Sequence, residues 1–380
     1  MPLRHRLFRL LATPALAAAV VSLPTAPALA APAQPASPAQ PASPALPASS
    51  ASAVPGTTSV PREAAAGWLA RQLVDGDHFE RIVDGTVRPD QDLTVEAVLA
   101  FAAAAVADDA AARATAWLAR PDVLADYLGD GTTEAYAGPT AKLLLLAQVR
   151  GLDPTDFGGV DLVARLRSLM APNGRFADRS QAGDRSDIAS QSFALIALSR
   201  TAAGVPSIAR SFLGAAQCVP SGGGYPVSFG SPATCTGDPD ATALGIQGYN
   251  AGNPAGSSGH ATGWLVNRQR PDGGFVSPGA TEPNAVTTGR VSHTLFTVGS
   301  SGGYRALKWL EPRQLRCGAP ADQRGAVPYD ATGFDRPTAL RATVQATLAF
   351  SPALKGFARL SASGAKPDAP VFSCPTTPSD

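Results

Sequence analysis

Apolar positions fall along this chain in helix-length blocks of two alternating kinds. The first kind is amphipathic and opens on an aromatic residue or Leu: GWLARQLVDGDHF (67–79), AWLARPDVLADYLGDG (116–131), ARLRSLMAPNGRF (164–176), SFLGAAQCVPSGGGY (211–225), ATGWLVNRQRPDGGF (261–275) and KWLEPRQLRCGAP (308–320). The second kind is apolar almost all round: DLTVEAVLAFAAAAV (92–106), GPTAKLLLLAQVRG (138–151), SDIASQSFALIALSRTAAG (186–204), DPDATALGIQGYNAG (238–252), NAVTTGRVSHTLFTVG (284–299) and RPTALRATVQATLAF (336–350). One-sided blocks predict helices with a solvent face, and all-round apolar blocks predict helices packed on most sides.

The two kinds alternate strictly, so the chain is a repeat. Aligned on Trp68, Trp117, Leu166, Phe212, Trp264 and Trp309, the first blocks recur every 45 to 52 residues. That period belongs to stacked supersecondary units. Three units keep a Gln five places after the anchor, as Phe212/Gln217, Trp264/Gln269 and Trp309/Gln314. The Gly-Gly that follows, as in PDGGF, reads as punctuation that ends a helix at positive φ. Asp92, Asp187, Asp240 and Asn284 sit where N-caps of the second helices are expected. Each unit is thus helix, Gly-rich turn, helix, with strands confined to loop hairpins. An open stack needs polar end units, and neither end is unusually polar. The expected fold is all-α, six helical hairpins closed into an α6/α6 barrel, or toroid.

Residues outside the repeat set the context. Arg4, Arg6 and Arg9, an apolar run and a closing Ala-Leu-Ala predict a secretory signal peptide over 1–30. Residues 31–61, almost all Ala, Pro, Ser, Gln and Thr, predict a disordered linker. The toroid is expected over 62–355, with 356–380 as a C-terminal tail. Without the three leader arginines, 28 basic side chains face 30 acidic ones, which argues against a nucleic-acid partner. The expected product is secreted and monomeric. Four cysteines allow three pairings. Cys218–Cys235 with Cys317–Cys374 is favoured because it staples two loop-rich regions and ties the tail back to the body.

The units at 212–225 and 264–275 resemble the Gln/Trp repeats of the prenyltransferase and terpenoid (squalene) cyclase superfamily of α/α-toroids. The resemblance spans roughly 62–355 and implies the fold far more than the chemistry. It also implies three activities. A cyclase protonates an alkene from an Asp-x-Asp-Asp-Thr-Ala motif; here Asp238-Pro239-Asp240-Ala241-Thr242-Ala243 places Asp240 as the acid beside Asp238, with Ala241 in place of the last Asp. A protein prenyltransferase holds zinc, and its His-Thr helix is similar to the segment holding His293. No Asp-x-Cys partner accompanies it, so neither a metal nor another cofactor is expected.

The third implied activity is binding without transformation, as in the cobalamin-carrier toroids. Polar residues on the second helices are the candidate ligand contacts: Gln191, Gln247, Tyr249, Asn250, Thr287, Thr288, His293, Arg341 and Gln345. Buried polar groups without partners are costly, so these predict a wet or ligand-filled barrel. The expected partner is a small molecule, of the corrinoid or isoprenoid class, and a membrane transporter that receives it. A terpenoid cyclase using Asp240 and a scaffold with a filled barrel are the competing readings. GSSGG fits a nucleophile pattern around Ser301 but follows a helix, whereas the nucleophile elbow needs a strand. Asp108 and Asp109 are read as an inter-unit loop, and Tyr225 and Phe275 as packing groups more than stacking platforms.

Overall fold

The computed structural model describes residues 56–219, 222–231, 234–253, 258–352 and 356–375. The leader at 1–30 and most of the expected linker lie outside them. Six long helices form an inner ring: α2 (Gln91–Ala104), α5 (Ala137–Arg150), α7 (Ile188–Leu198), α9 (Pro239–Asn250), α11 (Ala285–Thr297) and α13 (Arg336–Ala349). Each packs on the next, and α13 packs on α2, so the ring is closed. Outside stand α1 (Pro61–Ala70), α3 (Asp108–Leu118), α4 (Pro121–Leu128), α6 (Leu162–Ser168), α8 (Ser207–Ala215), α10 (Gly259–Val266) and α12 (Gly302–Leu310). The second unit has two outer helices because Pro121 begins a new one after Arg120 in extended geometry. The α/α-toroid expected from the repeat is the observed fold.

The repeat residues explain how neighbouring units lock. Gly273 has φ 98°, and a Cβ there would sit 2.3 Å from the Arg305 carbonyl oxygen of the next outer helix. A Cβ on Gly274 would lie 2.7 Å from the Trp309 indole nitrogen. The first glycine makes the turn and the second clears the next unit's anchor. Trp309 then donates its indole N–H to Asp272 of that turn at 2.9 Å. Gln269 donates to the Gly273 and Gly302 carbonyls at 2.9 and 2.8 Å, stapling its own turn to the following unit. Gln314 does the same with Gly325 and, across the seam, with Pro61 at 2.8 Å.

Two short sheets complete the body. β2 (Glu80–Val83) and β3 (Thr86–Pro89) form an antiparallel hairpin in the first loop, and β1 (Thr57–Thr58) pairs in parallel with β4 (Val371–Phe372). The last few residues of the expected linker therefore belong to the folded body: β1 pairs because its backbone completes the β4 edge. Both expected disulfides are present, Cys218–Cys235 and Cys317–Cys374. They suit an oxidising compartment. Among the described residues, no helix is long and apolar enough to cross a membrane.

Candidate functional site

The inner helices point one side chain each at the barrel axis in a common layer. Glu96, Lys142, Phe193, Leu244 and Arg290 each stand six residues past the N-cap of their helix, at Asp90, Tyr136, Asp187, Asp238 and Asn284. Gln345 joins them from α13, ten past its cap Asp335 and so one turn further along. Above this ring, toward the caps, lie Asp92, Ala189, Val286 and Arg341. Together these ten residues line an open cavity of about 220 Å³ at the N-terminal mouth of the inner barrel.

The cavity wall is charged. Lys142 Nζ donates to both Asp92 oxygens at 2.9 and 2.8 Å and to Glu96 at 3.1 Å. Burial by itself lowers the pKa of this amine, but the Asp92 and Glu96 carboxylates outweigh it and hold Lys142 well above its ordinary value. Burial likewise opposes the Asp92 charge, and Lys142, helped by a hydrogen bond from Tyr127, keeps its carboxyl below the usual range. Opposite, Arg290 donates to Asp240 at 3.2 Å, and Thr287 donates to the other Asp240 oxygen at 2.8 Å. Burial disfavours the Arg290 cation, and Asp240 with Glu96 more than restores it. Arg341 donates to Asp90 at 2.5 Å, and Gln345 to Glu96 at 3.0 Å.

The far end of the barrel is shut. Residues Phe357–Arg359 of the tail form a 3-10 turn whose Phe357 ring packs 5.6 Å from Phe193 and 5.0 Å from His293. Arg200 Nη1 holds this turn by donating to the carbonyls of Phe357, Ala358 and Leu360. Between plug and charged mouth only about 10 Å³ remains, walled in part by Leu99, Leu244, Leu348 and Phe193. A wider cavity of about 840 Å³ lies outside the plug, beside Gln247, Asn250 and Arg359. Its chain neighbours 254–257 and 353–355 are outside the described residues.

The expected ligand residues therefore separate. Arg341 and Gln345 line the charged mouth; Thr287, wholly buried, stands behind it by way of Asp240, the partner of Arg290. Gln191 does not reach the axis: its amide binds the Phe176 N–H and the Gly174 and Ala209 carbonyls. It replaces the turn-stapling Gln that the third unit's outer helix lacks. Thr288 accepts the Phe275 N–H at 2.9 Å, as Thr242 does for Tyr225, so both tie turns to inner helices. Gln247 bridges Thr294 and the Phe357 N–H, Asn250 holds Ser258, and the Tyr249 carbonyl accepts from Arg210. These three serve the plugged end. His293 is 2% exposed, and its Nε2 has no partner among the described residues.

The cap assignments shift by two residues. Asp90 and Asp238, not Asp92 and Asp240, accept the cap hydrogen bonds of α2 and α9, from Leu93 and Ala241. Asp187 and Asn284 cap as expected. Freed from capping, Asp92 lines the mouth and Asp240 pairs with Arg290 behind its wall. Glu96, Lys142 and Arg290 were missed, although a charge inside an otherwise apolar block at one repeat register was a visible signal. Ser301 precedes α12 and no strand leads to it. Asp108 opens α3 and pairs with Arg150, and Tyr225 and Phe275 are wholly buried, so neither stacks on a ligand. No group of three or more His, Cys, Asp or Glu able to hold a metal occurs among the described residues.

The fold is shared with enzymes of different chemistry. A type II terpene cyclase, MstE from Scytonema, superposes with TM-score 0.58 at 16% identity, over 77% of this chain and 97% of that one. A protein from Actinoplanes matches with TM-score 0.55 at 16% identity, over 77% and 99%. An α-amylase from Clostridium perfringens matches with TM-score 0.52 at 12% identity, over 69% and 85%. No family model matches the chain, and no curated protein matches it by sequence. At these identities the likeness establishes the α/α-toroid and leaves the chemistry to the site.

Proposed function

We propose that this chain is an exported α/α-toroid that holds a small polar molecule in the charged mouth of its inner barrel without transforming it. One observation carries the reading: the axis layer of an otherwise apolar barrel holds Glu96, Lys142, Arg290 and Gln345 around an open cavity. Buried charge contributes little to stability beyond what an apolar replacement would give, so its concentration at a cavity points to a ligand. The cavity of about 220 Å³ is small and ionic, which favours a compact polar molecule over the corrinoid and isoprenoid classes. Export rests on the leader pattern and on the two disulfides.

The cyclase reading has the fold likeness to MstE in its favour. Against it, both Asp240 oxygens are engaged, by Arg290 and Thr287, and the axis beneath is filled by Phe193, Leu244 and Phe357. Native mass spectrometry of protein purified from culture medium tests binding. The expected result is a mass excess that survives gentle ionisation and vanishes on denaturation. Protein that stays ligand-free, even after incubation with a polar-metabolite extract, would overturn the proposal.

A further inference from the structure

The charges of the mouth are not evenly used. Lys142 spends its ammonium hydrogens on Asp92 and Glu96, so it has nothing left for a ligand. Arg290 makes one described hydrogen bond, to Asp240, and Arg341 one, to Asp90. A guanidinium carries five N–H donors in a rigid fork, so both have most of their donors unspent on protein. Arg290 and Arg341 come from the adjacent helices α11 and α13, and both line the cavity.

The carboxylates are divided the other way. On the α11/α13 side each arginine is matched by one acid, Asp240 or Asp90. On the α2/α5 side two acids, Asp92 and Glu96, share the single cation Lys142, which leaves one negative charge in excess. The mouth thus has an acid-rich stretch on α2 and α5, with unspent guanidinium donors across the ring on α11 and next to it on α13. The room between them equals about seven water molecules at ~30 Å³ each, set by the 220 Å³ of the cavity.

Resting on the reading of the mouth as a ligand site, we propose that its ligand is a small zwitterion of free amino-acid type. The carboxylate is taken by the forks of Arg290 and Arg341, and the ammonium by the Asp92–Glu96 side. Arginine forks suit a carboxylate because two parallel N–H groups match its two oxygens. The excess negative charge on the same rim favours an ammonium over a neutral group. A sugar would use the same hydrogen-bonding atoms but would leave that charge uncompensated. The side chain of the amino acid would point along the mouth, past Ala189 and Val286, the apolar part of the same wall.

Calorimetry and thermal shift on the full disulfide-bonded chain test this with L-amino acids offered singly, and then with the N-acetyl and carboxamide forms of any that binds. Glucose serves as the neutral probe. The expected result is saturable binding of a free amino acid, weakened at least tenfold by either modification. Glu96→Gln should abolish the penalty for N-acetylation, and Arg341→Gln the penalty for amidation, with a melting scan showing that each variant is folded, since Arg341 is the counter-charge of the buried Asp90. Arg290→Gln should weaken every carboxylate-bearing form. Glucose bound as well as any amino acid would overturn the zwitterion while leaving a polar-ligand site standing. A mass excess in the purified protein with no amino acid bound would do likewise. A purified protein with no mass excess, and no response to any probe, would sink both readings together.

Discussion

His293 shows what a buried polar side chain costs when nothing meets it. Burial against the Phe357 ring pushes its pKa down to about 4. In the unfolded chain an imidazole titrates near 6.5, so between those values the unfolded state binds the extra proton. Stability therefore rises with pH across that window and falls as pH drops from 6.5 toward 4. The gap corresponds to roughly 3 kcal/mol at ~1.4 kcal/mol per pH unit. His293→Leu should flatten the dependence of melting temperature on pH in that interval. If wild type and variant lose stability in parallel between pH 6.5 and 4, His293 is not the group responsible. In the mouth Asp92 runs in the same sense as His293, and Lys142 in the opposite one. Asp92, held low, loses its contribution in acid, and Lys142, held high, loses its contribution only in strong base.

A turn can be strained by its angles or by its neighbours, and the repeat separates the two. Gly273 has φ 98° and a neighbouring carbonyl 2.3 Å from where a Cβ would be, whereas Gly279 has φ 80° and open space. Gly279→Ala should cost about 1 kcal/mol from backbone conformation alone. Gly273→Ala should cost about 3 kcal/mol, because the next outer helix must also move. Equal urea midpoints for the two variants would mean that the close approach is not felt. This turn was legible in the sequence because a glycine-containing turn follows the anchor in every unit, with Gly-Gly inside PDGGF and SGGGY, and helix periodicity flanks it. The site was less legible. Acidic pairs such as Asp90/Asp92 and Asp238/Asp240 offer two cap candidates, and only backbone geometry decides which one caps and which one faces the axis. Gln191 and Thr288 misled for a related reason: a polar residue in an apolar helix serves a backbone N–H as readily as a ligand.

At the scale of the whole chain, closure depends on contacts between distant segments. The Gln314–Pro61 hydrogen bond, the β1–β4 pair and the packing of α13 on α2 all join the first unit to the last. Cys317–Cys374 spans 57 residues and Cys218–Cys235 only 17. Loop entropy then gives about 4 kcal/mol for the first and about 3 kcal/mol for the second. Replacing the Cys317–Cys374 pair by serine should lower the denaturation midpoint more than replacing the other pair, and a reversed order would show that loop length does not govern here. Ring closure also constrains the order of events during synthesis. The apolar faces of α1 and α2 emerge from the ribosome early, while their partners α13 and β4 are made some 240 residues later or more. The early units can form hairpins as they appear, but their open side has no native partner in the interval and must be shielded from aggregation. Only when α13 has been made can the seam shut, so closure of the barrel waits for its last helix.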